Sequence, residues 1–273
     1  MVTYLLSCMN HIYYIIIFIV ISGTNIHGAL LKGLELAHLG RKLTGPDNEE
    51  NKPEPIMIFL TDGESNVGES DPEKIVGIVT DKNGADGVSI FALAFGDYAN
   101  SQFLKKLALR NSGFARKIYE ASDSALQLRD FYRVVSSPLL AKVTFNYPED
   151  QVEEGTLSQT NFSTYFSGSE LVVAGKLKSS ELTGHLTAKS SNGTTSIPFG
   201  PLRVVPFPDW ELAAHHRPER NYSDAGFMER LWAYLTIQQL LEKETAETLE
   251  GTNVTSPSKN KALDLALKVR LPF

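Results

Sequence analysis

Cysteine is nearly absent from this chain: Cys8 is the single one among 273 residues. That excludes an intrachain disulfide, a zinc–thiolate cluster and a Cys-x-x-Cys redox pair. A basic surplus is missing as well. The net charge of −6 and pI near 5.6 leave no electrostatic footprint for nucleic acid. No Gly-x-Gly-x-x-Gly or Walker string occurs, so neither nucleotide fingerprint is present. No serine sits in a Gly-x-Ser-x-Gly elbow. The pair His215-His216 has no acid or cysteine at ligand spacing and receives no role. Apolar runs of membrane-spanning length are lacking too. The longest, Ile12–Ile21, falls short of the roughly 20 residues that a transmembrane helix needs. It has the length of a signal-peptide core but no Lys or Arg before it, and its β-branched content also suits a strand. For residues 1–22 a signal peptide, a strand and a non-native beginning remain open.

What is present is an ordinary globular composition, 42% hydrophobic and 21% charged, long enough for one large or two ordinary domains. Four Asn-x-Ser/Thr sequons begin at Asn161, Asn192, Asn221 and Asn253. All lie in polar or turn-like surroundings, which favours a secreted glycoprotein.

Between Ser22 and Leu140 the hydrophobic pattern alternates strand and helix. Ile56–Leu60 is five apolar residues in a row, a strand buried on both faces. Val88–Phe95 reads as a second such strand and Arg116–Tyr119 as a short third. Ile26, Leu30, Leu34 and Ala37 recur at helical spacing, with Thr24 or Asn25 as the N-cap, and Gly40–Pro55 reads as a polar loop. Ser70-Asp71-Pro72-Glu73 has the form of a helix start. Further helices are expected around Phe103–Ala108 and over Ala125–Val135. That rhythm predicts an α/β domain with a parallel, doubly wound sheet.

Beyond Pro138 the pattern becomes short alternating segments: Val143–Tyr147, Asn161–Phe166, Glu170–Leu177 and Leu182–Ala188. They predict an antiparallel, sandwich-like region. Pro198–Pro218 reads as loop. An amphipathic helix follows, with Phe227, Leu231, Tyr234, Leu235 and Leu241 on its apolar side and Trp232 and Tyr234 as core. Glu242–Asn260 reads as polar and mobile, and Ala262–Leu267 begins a further helix. The organisation expected is thus 1–22 apolar segment, 23–140 α/β domain and 141–273 β-rich region with C-terminal helices.

Chemistry gathers at one place. The strand Ile56–Leu60 breaks at Thr61-Asp62-Gly63, and Thr24 stands where another helix begins. In an open α/β sheet both positions fall on the rim where ligands bind. A carboxylate with hydroxyls and water makes a Mg²⁺-type site with open positions. The alternative makes Thr24 a helix cap and Asp62 a turn residue.

Gly23-Thr24-Asn25-Ile26 with Ala29-Leu30, followed by Phe59-Leu60-Thr61-Asp62-Gly63, resembles two metal-site loops of a von Willebrand factor A domain. Several longer strings resemble the heavy chains of inter-alpha-trypsin inhibitor. They are Thr61–Glu69, Gln127–Tyr132, Pro138–Leu140, Gly168–Lys176 and Glu229–Thr236, and the likeness runs from about Gly23 to Leu267. It implies a non-enzymatic secreted glycoprotein that associates with hyaluronan in the extracellular matrix. Its implied partner is the proteoglycan light chain of a serine protease inhibitor complex. It also implies that Thr24 and Asp62 are the threonine and second aspartate of a metal-ion-dependent adhesion site. The first loop of that site, Asp-x-Ser-x-Ser, is absent from this sequence. So are the family's amino-terminal β domain and its Asp-Pro-His-Pro ester motif, as in a truncated member. Weak or lost Mg²⁺ binding is therefore expected, and no ester link to hyaluronan. The fold would also need Tyr13–Ile21 to stand in for its first central strand. A divalent-cation-dependent protein-binding adhesion module is the alternative function. A metal-dependent hydrolase ranks third, for want of a base, a nucleophile and a ligand cluster.

Overall fold

The computed structural model describes residues 2–9, 12–19, 24–43, 54–84, 87–120, 123–178, 182–190, 193–200, 225–247 and 257–269. Strands β1 (Val2–Met9) and β2 (Ile12–Ile19) form an antiparallel hairpin. β2 then runs parallel to β3 (Pro55–Thr61), Tyr13 opposite Pro55 through Phe18 opposite Leu60. The apolar amino-terminal segment thus enters the sheet beside β3, where a replacement strand was required. β4 (Ser89–Phe95) and β5 (Ala115–Ile118) continue the parallel ladder, giving the order β1-β2-β3-β4-β5.

Helices α1 (Ile26–Leu43), α2 (Pro72–Asn83) and α3 (Ser101–Arg110) link the parallel strands, and α4 (Ser124–Val135) follows β5. Alternate side chains of the strands feed two cores. Met57 and Phe59 of β3 join Ile26, Leu30 and Leu34 of α1, Val76 of α2 and Leu104 of α3. Ile56 and Ile58 turn to the opposite face, against Phe131 and Val135 of α4. This two-sided burial is why the strand has no polar alternation. Each fully buried Ile, Leu or Phe contributes about 1.5–3 kcal/mol. The helix starts are specified locally. Asp71 Oδ1 accepts from Glu73 N at 3.0 Å with Pro72 as the first helical residue. Asn25 rather than Thr24 caps α1, its Oδ1 accepting from Gly28 N at 2.7 Å. Helix α1 also runs through Gly40 to Leu43, further than the expected loop boundary.

The second sheet is antiparallel, in the order β7-β6-β8-β9, from β6 (Pro138–Asn146), β7 (Asn161–Phe166), β8 (Gly184–Ser190) and β9 (Gly193–Phe199). Phe166 of β7 reaches the second core of the first sheet, edge-on to Phe91 at 5.6 Å between ring centroids. Glu54, just before β3, draws in Arg41 (3.8 Å), Lys142 of β6 (3.5 Å) and Lys189 of β8 (3.0 Å). These contacts join the two sheets.

Three sequence expectations are corrected here. Glu170–Leu177 is not a ladder strand. It runs extended along 151–158, where the Ser158 and Thr156 hydroxyls accept from Ala174 N (2.9 Å) and Lys176 N (3.1 Å). Backbone bonds from Glu153 N to Lys176 O (2.9 Å) and from Ser158 N to Ala174 O (2.8 Å) and one antiparallel bridge, Val152 to Leu177, alternate with these hydroxyl bonds, short of a regular ladder. Pro198 lies inside β9 rather than in a loop; β9 is an edge strand, which tolerates the missing N–H. Helix α5 (Ala225–Glu247) outlasts the expected boundary and buries a different side. Ala233 and Ile237 are its buried residues, and Ile237 packs with Ala262 and Ala266 of α6 (Pro257–Val269). Phe227, Tyr234 and Leu241 are exposed. Small residues permit close helix approach, and apolar residues occur all round α5, so the pattern did not single out the buried face. Among the described residues no helix is long and apolar enough to cross a membrane.

Candidate functional site

The carboxyl end of β3 and the start of α1 meet as the sequence predicts. Thr24 and Asp62 lie on one rim: a Cβ added to Gly63 would stand 4.0 Å from Thr24 Oγ1. The two loops are stitched by residues that sequence reasoning assigned no role. Thr24 N donates to Asn66 Oδ1 at 2.6 Å, and Asn66 N donates back to Thr24 O at 3.0 Å. The Ser65 hydroxyl donates to Glu69 O at 2.9 Å. Gly68, at φ +79°, brings the loop against Asn25; an added Cβ would come within 3.1 Å of Asn25 Oδ1. The signal for this clasp was the string Thr61–Glu69, whose polar residues match loop to loop rather than loop to ligand.

The acids on the rim divide by commitment. Glu69 Oε1 accepts from Ser70 N (3.1 Å) and Asp71 N (3.0 Å), and Asp71 caps α2. Asp62 is exposed and makes no hydrogen bond or ion pair among the described residues. A hard cation takes six or more oxygens. Among the described residues the loop after β3 offers two uncommitted carboxylates, Asp62 and Glu64, on the rim that carries the Thr24 hydroxyl. Among the described residues no group of three or more His, Cys, Asp or Glu stands together as a metal cluster. These donors do not form a cage for Mg²⁺; a cation here would draw most of its shell from water or an incoming carboxylate.

Other titratable groups sit away from this clasp. His38 of α1 has its pKa lowered, first by burial and then by Arg41 and Lys42. Burial raises that of Tyr147, which follows β6. Of the four sequons, Asn161 is exposed at the start of edge strand β7. Asn192, Asn221 and Asn253, like His215-His216, lie outside the described residues.

A largely parallel sheet layered by helices on both faces is the fold of a von Willebrand factor type A domain. Residues 21–134 match that family. Over 90% of its length the chain is a homologue of inter-alpha-trypsin inhibitor heavy chains. It is 40% identical over 250 residues to heavy chain H3 of Homo sapiens, covering 90% of this chain and 26% of that protein. It is 42% identical over 255 residues to heavy chain H4 of Homo sapiens (90% and 25%) and 43% identical to H4 of Sus scrofa. The chain therefore spans about a quarter of the length of these relatives. Among solved structures, the ArnB paralog VWA2 from Sulfolobus acidocaldarius aligns with a TM-score of 0.43 at 16% identity, covering 93% of this chain and 63% of that one.

Proposed function

We propose that this chain is a secreted, non-enzymatic binding module of the extracellular matrix, associated with hyaluronan and with the light-chain proteoglycan of a protease inhibitor complex. The observation that carries this reading is the extent of the homology. It runs through the type A domain into the second sheet and the terminal helices, 90% of the chain in all. Glycosylation at Asn161, Asn192, Asn221 and Asn253 belongs to the same proposal, and the exposure of Asn161 supports it. No residue is assigned a catalytic role. The test is expression in mammalian cells, followed by glycosidase treatment of the medium and retention on immobilised hyaluronan. Recovery of a glycosidase-sensitive product that hyaluronan retains is expected. An unglycosylated product confined to the cytosol would remove the proposal.

A second reading, cation-dependent protein adhesion, is favoured by one feature: the exposed, uncommitted Asp62 carboxylate beside Thr24. It requires that Mg²⁺ or Mn²⁺ release or absorb heat on titration and raise the melting temperature. It also requires that Asp62→Ala abolish both effects. No heat and no stabilisation at millimolar metal would sink it.

A further inference from the structure

Away from the rim, a pocket of about 420 Å³ opens between the segments 147–157 and 173–177, Leu182 and the start of α5. Its wall is formed largely by Val152, Leu157, Val173, Leu177, Met228 and Trp232. Leu177 and Met228 remain 47% and 62% exposed, so the pocket continues outward as apolar surface in contact with water. The wall is fixed in advance. Trp232 Nε1 donates to Thr156 O at 2.6 Å, which holds the indole plane. The hydroxyl-paired stretch at Ala174–Lys176 holds the facing side. At Gly175 the backbone comes so close to Leu157 that a Cβ would meet its Cδ2 at 2.9 Å.

Two charges stand among the lining residues. Lys176 Nζ lies 5.8 Å over the Trp232 ring and makes no ion pair among the described residues. Glu229, exposed on the first turns of α5, also makes none. An apolar cavity of this size, with few polar groups fixing orientation, is the general form of a small-ligand site. An unpaired ammonium on its wall selects an anionic head.

We propose that this pocket binds a medium-chain fatty carboxylate, its alkyl tail between Trp232 and the Val152–Val173 wall and its head on the Lys176 ammonium. The two charges then act in opposite directions. Lys176 attracts the head and Glu229 repels it.

The experiment titrates the full chain, in a Trp210→Phe background that leaves Trp232 as the one indole, with saturated carboxylates of eight to fourteen carbons below their micellar concentrations. Trp232 emission and calorimetry give the affinity. Affinity is expected to rise about fourfold per added methylene and then level off once the cavity is full. Lys176→Gln is expected to weaken carboxylate binding by about three- to fivefold, and Glu229→Gln to strengthen it by about twofold, as exposed charge pairs do. Neither should move the binding of the alcohol of equal length. Ala174→Phe, filling the cavity, should abolish binding at an unchanged melting temperature; Lys176→Gln and Glu229→Gln still decide the matter if that variant fails to fold. No titratable signal, affinity that climbs with chain length without levelling, or equal response of acid and alcohol to Lys176→Gln would each overturn the assignment.

Discussion

Gly113 is the position at which one added carbon should do most damage. It sits between α3 and β5, and its N–H donates to Ala108 O at 2.9 Å, closing the end of the helix. A Cβ there would stand 1.9 Å from Ile90 O and 2.6 Å from Ile90 C, both backbone atoms of the inner strand β4. The carbonyl would have to retreat by about 1 Å to reach 3.0 Å, the distance below which real Cβ contacts are essentially never seen. That retreat cannot be local. Ile90 N donates to Asn111 O and Ala92 N to Phe114 O, both at 3.0 Å, so the same movement breaks the zipper between β4 and residues 111–114. Overpacking costs about 1–3 kcal/mol, and each buried backbone group left unpaired costs about 1–3 kcal/mol more. Gly113→Ala should therefore lose about 3–5 kcal/mol, a large part of the roughly 5–15 kcal/mol that holds a domain folded. In a thermal melt this is a drop of about 10 °C. Gly77→Ala is the matched control: it lies in α2 with nothing within 4 Å of an added Cβ. There the gain in helix propensity should stabilise by about 0.5–1 kcal/mol. Equal urea midpoints for the two variants would refute the packing assigned to Gly113.

Three further outcomes are expected. Asn83→Ala removes the bonds that Asn83 makes to Val88 N (2.6 Å), Val88 O (2.8 Å) and Asn111 Oδ1 (2.8 Å), all buried. A loss of about 2–4 kcal/mol in urea unfolding follows, and a loss under 0.5 kcal/mol would contradict it. Lys106 joins α3 to Glu73 of α2 through both carboxylate oxygens, at 2.5 and 2.6 Å, with its side chain 6% exposed. Lys106→Ala should cost about 2–4 kcal/mol, and Lys106→Met clearly less because it keeps the apolar stem; equal losses would assign the effect to the ion pair alone, with no share for the stem. His38 has a lowered folded pKa, so its neutral form is the one folding favours. The unfolded chain takes up that proton first as pH falls below about 6.5. Stability should thus be complete above that value and decline beneath it, and His38→Gln should flatten the decline between about pH 7 and pH 5. An unchanged slope would exclude His38 as its source.

The type A half was legible because its signals are local. Ile56–Leu60 is continuously apolar, Ser70–Glu73 spells a capped helix start, and Thr61-Asp62-Gly63 ends a buried strand; each sets its element within a few residues. The second half was less legible, because its pairing is set between distant segments. Glu170–Leu177 alternates like a strand yet pairs with 151–158 through a single bridge and a mixture of backbone and hydroxyl bonds rather than a full ladder. Pro198–Pro218 read as loop from its prolines, and only the place of β9 at a sheet edge makes Pro198 harmless within that strand.

The sequence alone determined the identity of the elements around Thr24 and Asp62, their shared rim, and the kinship with the inter-alpha-trypsin inhibitor heavy chains. Periodicity, caps and motif strings are properties of neighbouring residues and survive without coordinates. Tertiary structure decided what no window of residues contains. Ile12–Ile19 is placed as a strand parallel to β3. Ala233 and Ile237, rather than Tyr234, are the buried side of α5. Asn66, Ser65 and Glu69 serve as a clasp that leaves Asp62 uncommitted. Burial and hydrogen-bond satisfaction are settled only when distant segments compete for the same neighbours, and that competition takes place in three dimensions.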